Sequence, residues 1–159
     1  MKKLAISMLV AVALTGCASS PSRPVEEPLS LKLNGTAVEV QQSIEEYMLR
    51  RGLGYKVESA TDRSIVFKTA CSNIPQVAGF KCGLIMMAVG NSRWDGPYAV
   101  VTFRTADIRG VVTVSGSAEW CATNAFGKTN CMPNGAAADM NDLLRSIDSN
   151  YKATAVTSR

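Results

Sequence analysis

The chain has 159 residues, of which 47% are apolar and 19% charged. That is enough for one ordinary domain with a packed core, and it excludes disordered, collagen-like and coiled-coil states. Seventeen Lys and Arg stand against 13 Asp and Glu, a formal charge of +4 with no basic block, so nucleic acid is not an expected partner. Histidine is absent. Every nucleophile or metal scheme built on imidazole, from Ser-His-Asp to the common zinc sites, therefore falls away.

Met1-Lys2-Lys3 is a short positive head, and Leu4 to Leu14 is an apolar stretch broken only by Ser7. It is too short for a bilayer core of about 30 Å, which takes about 20 helical residues, and it reads as an export signal over residues 1–16. The stretch ends in Leu14-Thr15-Gly16-Cys17, followed by Ala18-Ser19-Ser20.

In these residues the chain resembles bacterial lipoproteins, whose lipobox places an aliphatic residue and two small residues before the cysteine that is cut free and acylated. The resemblance implies a mature chain starting at Cys17, a membrane anchor of palmitoyl-type acyl chains on that residue, and, with Ala18 rather than Asp in second place, the outer membrane with the domain facing the periplasm. One acyl chain anchors only marginally, whereas the several implied for this class hold permanently.

With Cys17 assigned to lipid, Cys71, Cys82, Cys121 and Cys131 remain, and four cysteines can pair in three ways. An oxidising compartment favours disulfides, and short separations favour Cys71 with Cys82 and Cys121 with Cys131. Their spacings do not fit the C-x₂₋₄-C pairs of structural zinc sites, so no metal and no cofactor is expected.

Residues 18–30 hold three prolines and four serines, and residues 17–33 read as the lipidated terminus and a flexible tether. A single domain is expected over 34–151. Ala37, Val40, Ile44, Tyr47 and Met48 recur at helical spacing behind a Thr36–Glu39 capping box, with a stop at Gly52. Tyr55 to Ser59 and Ser64 to Thr69 alternate as a hairpin around Thr61-Asp62-Arg63. Tyr98 to Arg104 and Ile108 to Trp120 form a second pair, with a bulge or bend expected where Gly110 and Gly116 interrupt the longer strand.

Between the pairs lies an irregular insertion, residues 71–97, whose apolar run from Cys82 to Val89 fits a short buried strand or a flap over the core. Ala136, Met140, Leu143, Leu144, Ile147 and Tyr151 mark a last helix ending near Asn150, and 152–159 read as a disordered tail.

These elements make a two-layer α+β domain: a mostly antiparallel sheet of four to five strands, with N- and C-terminal helices packed on one face. In element order over residues 34–151, without a shared residue motif, the chain resembles the helix-grip arrangement of small envelope proteins, including accessory lipoprotein domains of the outer-membrane assembly machinery.

Catalytic motifs do not close. Gly127-Lys128-Thr129 ends like a phosphate-binding loop, but Ala122 stands where its first glycine belongs. Gly90-Asn-Ser92-Arg-Trp94 imitates a nucleophile elbow without its closing glycine or a histidine. Met86 and Met87 read as packing rather than a copper site. The segment from Trp120 to Cys131 holds Phe126 and Lys128 in a loop that a disulfide would preorganise, and Trp94 marks a second contact loop. The expectation is a non-enzymatic lipoprotein that meets an envelope protein partner through Trp94, Phe126 and Lys128, as part of an envelope, secretion or transfer assembly. The second reading is a binding module for a lipid or small hydrophobe, with residues 83–89 lining the pocket.

Overall fold

A computed structural model describes residues 28–89, 96–134 and 137–157. The export signal, Cys17, most of the tether, Ser92 and Trp94 lie outside these residues. In chain order the elements are β1 (Ser30–Asn34), α1 (Ala37–Arg50), β2 (Lys56–Ala60), β3 (Ser64–Ala70), a 3₁₀ turn (Cys71–Asn73), α2 (Phe80–Val89), β4 (Tyr98–Ile108), β5 (Val111–Thr123), β6 (Thr129–Pro133) and α3 (Ala137–Thr157).

The strands form one antiparallel sheet in the order β1-β5-β4-β3-β2, with β6 also on β5. The fold is therefore the expected α+β arrangement, with six strands. β1 pairs with residues 111–115 of β5 and β6 with residues 119–123, so the two short strands lie end to end along one edge of it.

Alternation along the strands decides which face is covered. Ala99, Val101 and Phe103 of β4, and Val112, Val114, Ala118 and Trp120 of β5, point to the helices, while Arg104, Ser115, Ser117 and Glu119 are exposed on the other side. Over the first face α1 buries Val40, Ile44 and Met48, and α3 buries Met140, Leu144 and Ile147, against Phe67, Phe103, Ile65 and the β1 leucines Leu31 and Leu33. Phe67 and Phe103 meet edge to face at 6.0 Å between ring centres.

α1 starts where its sequence says it should. The Thr36 hydroxyl accepts the Glu39 amide at 3.3 Å, and the Glu39 carboxylate accepts the Thr36 amide at 2.8 Å. These bonds, the backbone one foremost, hold the Glu39 carboxyl below its ordinary pKa. Beside this cap the Tyr151 hydroxyl donates to the Asn34 carbonyl at 2.6 Å, closing α3 onto the end of β1. Burial first, and the Glu39 charge second, raise the Tyr151 pKa.

Four expectations are corrected. Residues 30–33, assigned to the tether, are in the sheet: the Leu31 and Leu33 side chains enter the core, and Leu29 N–H donates to the buried Asn141 Oδ1 at 2.7 Å. The second hairpin turns later than expected, at Arg109-Gly110, both with positive φ (57° and 77°), as in a two-residue primed turn, so β4 continues to Ile108 and Gly110 is no bulge. Gly116 does lie within β5, and a Cβ there would stand 2.4 Å from Met140 Sδ, so glycine lets α3 close on the strand. The tail from residue 152 is helical to Thr157, supported by Lys152 paired to Asp148 one turn back at 2.7 Å and by alanine's helix propensity. Finally, the apolar run 82–89 is not a strand but most of the helix α2, which lies over a small core of its own.

Candidate functional site

Among the described residues, the helix-covered face is incompletely closed by side chains in two places. The first is the end of the sheet built from α2 and the β5–β6 hairpin. Both disulfides are there, in the local pairing, Cys71–Cys82 and Cys121–Cys131. Cys71–Cys82 binds α2 to the end of β3, and a second small core forms beneath it from Cys71, Val89, Ala99, Trp120 and Ala122, with Cys82 and Ile85 packed against it.

Cys82, Ile85 and Val89 are thus the inward row of α2. Its outward row is equally apolar: Phe80 is 80% exposed, Leu84 44% and Met87 73%. These three recur at steps of four and three and line one side of the helix. A helix apolar all round is normally found buried, whereas this one is covered on one side only.

Cys121 and Cys131 face one another across β5 and β6, beside the Thr123–Thr129 pair, whose hydroxyls lie 2.9 Å apart. The turn beyond is fixed by Asn124, whose side-chain oxygen accepts the Phe126 and Lys128 amides at 3.0 and 2.9 Å, while Gly127 takes φ 81°. Phe126 stands at this tip 96% exposed. Lys128 is exposed beside it.

Phe126 and Lys128 are therefore brought together on one rigid turn, and Trp94 is outside the described residues. In 71–89 and 120–134 the charged residues are Lys81 and Lys128 alone. Glu119 lies near the sulfurs of Cys121 and Cys131, but those sulfurs are bonded to each other and are not thiolate ligands.

The second place is a groove of about 670 Å³ between α3, the sheet, and the segments that follow α1 and precede α2. Small side chains make it: Ala99 and Val101 of β4 and Ala118 of β5 floor it beside Trp120, where the neighbouring row of the sheet carries Phe103. Leu143 of α3 and Val77 before α2 also line it, as do Pro28 and Leu29 where the described chain begins.

Arg51 and Tyr55 stand at its rim. Burial raises the Tyr55 pKa, and the Arg51 charge opposes that rise. Residues 83–89, expected to line a ligand pocket, form α2 and do not line this groove.

Sequence reasoning missed the outward row of α2, Asn141 and the groove. The first had a legible signal, an apolar run with no polar break; the others depend on which residues the sheet register sets opposite one another. The chain matches no protein-family model, no curated protein and no solved structure.

Proposed function

We propose that this protein is an envelope lipoprotein, acylated at Cys17 and held at the outer membrane with its domain in the periplasm. There it serves as a non-enzymatic interaction component of an envelope, secretion or transfer assembly. The contact surface is the disulfide-held end of the sheet, and its partner is a protein presenting an apolar patch with an acidic margin toward Lys81 and Lys128.

The observation that supports this most is the helix α2, which keeps Phe80, Leu84 and Met87 in water when a helix of that composition ordinarily buries them. Phe126, on a turn already fixed by Asn124 and the Cys121–Cys131 bridge, loses little further freedom on docking. No helix among the described residues is long and apolar enough to cross a membrane. Attachment by acyl chains is the reading that the Leu14–Cys17 motif supports.

The test is a photoreactive residue placed in growing cells at Leu84, Met87 or Phe126 of the full chain. One discrete protein adduct at all three positions, reduced at Leu84 by Phe126→Ala, is expected; adducts no different from those at the exposed Arg104 on the far face of the sheet sink the reading. Separately, mass analysis of the N-terminal peptide is expected to show acylated Cys17, and an unmodified thiol there contradicts the anchor.

A further inference from the structure

The groove adjoins the small core beneath α2 and shares Ala99 and Trp120 with it, but none of Phe80, Leu84, Met87 and Phe126 lines it, and its residues define a ligand. Its floor is apolar and runs along two adjacent rows of the sheet, Val101 with Ala118 and Ala99 with Trp120. At about 670 Å³ it lies within the roughly 300–1,000 Å³ typical of small-molecule sites.

Besides the buried Asn141, whose Oδ1 accepts the Leu29 N–H, the lining holds three charged residues, Arg51, Asp139 and Asp142, and their charges are not equally satisfied. Asp142 is paired to Arg145 at 2.7 Å. Asp139 lies in the first turn of α3, where a helix N-terminus compensates negative charge. Arg51 is exposed, stacks loosely at 5.9 Å from the Tyr47 ring, and has no carboxylate partner among the described residues. A guanidinium left this way at the mouth of an apolar trough matches an anion whose remaining atoms are hydrocarbon.

We propose that the groove binds a single acyl chain ending in a carboxylate or phosphate, with the chain lying over Ala99, Val101 and Ala118 and the anionic end at Arg51. The floor is made of small side chains, and Tyr55, which also lines the groove, adds a hydroxyl to its polar groups. Free fatty acid and a lysophospholipid share this chemistry.

The test uses the full chain in lipid nanodiscs and a sixteen-carbon fatty acid carrying a photoreactive diazirine, with the corresponding alcohol and lysophosphatidate as companions. Expected is labelling of peptides containing residues 99–101, 118–120 and 140–143. Ala118→Phe, which fills the trough, is expected to lower it at least tenfold, and Arg51→Gln to lower labelling by the acid severalfold while leaving that by the alcohol unchanged. Displacement by excess lysophosphatidate but not by excess fatty acid identifies the phosphate source; the converse identifies the carboxylate.

Arg51 is on the surface, so its variant folds even if Ala118→Phe does not; retained disulfides and an unchanged melting curve verify each. Absence of label from the groove peptides overturns the proposal. So does label that persists undiminished in folded Ala118→Phe, or label by acid and alcohol that responds alike to Arg51→Gln.

Discussion

The face covered by α1 and α3 and the end covered by α2 are solutions to the same problem with different means. α1 has a reciprocal cap, an acidic first turn and Arg50 paired to Glu46 at 2.9 Å in its last turn, and α3 carries two such surface pairs. Each helix buries one stripe and wets the other. Exposed apolar groups on α1, Val38 and Leu49, are isolated from one another, as on any soluble surface.

α2 has ten residues, Gly83 in its middle and apolar groups on both sides. A helix that short is marginal alone, and mid-helix glycine costs about 1 kcal/mol relative to alanine. What holds it is the Cys71–Cys82 bond and the small core around Trp120. The contrast teaches that one region is stabilised by its own sequence pattern, while the other is pinned in place with its apolar surface outward.

The comparison breaks most visibly in the large core. Phe103→Ala removes a fully buried ring and is expected to cost about 3–5 kcal/mol, lowering the melting transition of the whole domain. Replacing Cys71 and Cys82 together by serine is expected to cost about 3 kcal/mol. Its signature is different: amide exchange in residues 80–89 accelerates while α1 and α3 keep their protection. Uniform acceleration would show that α2 is part of the same cooperative unit.

Thr36→Ala is expected to lose about 1 kcal/mol through the α1 cap. The same change removes the hydroxyl bond but keeps the Thr36 amide, so it is expected to return the Glu39 pKa part of the way toward the ordinary carboxylate value, read by carboxyl NMR titration. Because the folded pKa of Glu39 is lowered, its contribution is present above the unfolded value and disappears as pH falls through the folded one; the Thr36→Ala domain is expected to lose less stability over that acid range. The smallest effect on stability is expected from Phe126→Ala, within about 0.5 kcal/mol of zero by chemical denaturation, since the ring touches little. A large loss would mean that Phe126 packs inward.

What was legible in the sequence follows this division. The α1 cap involves residues three apart, and the inward row Val40, Ile44 and Met48 repeats at a single period, so both could be read without tertiary information. The turn at Thr61 carries its own hydrogen bonds. β1 and β6 are short and make sense only beside β5, whose partner residues are about 80 positions away for β1.

The Arg109-Gly110 turn was hidden because arginine rarely takes positive φ. α2 defeated periodicity because an apolar run on every side has no period to detect. The lining of the groove could not be foreseen, since it arises where Ala99, Val101 and Ala118 lie near one another in the sheet.

The central claim, that the outward row of α2 is covered by another protein in the envelope, is tested most directly by hydrogen exchange on the full chain in native membranes and after purification. Slower exchange in membranes by about tenfold at residues 80–89 and 124–128, with α1 and α3 unchanged, is the predicted result. Equal exchange at α2 in the two settings would mean that Phe80, Leu84 and Met87 face water in the cell, and would contradict it.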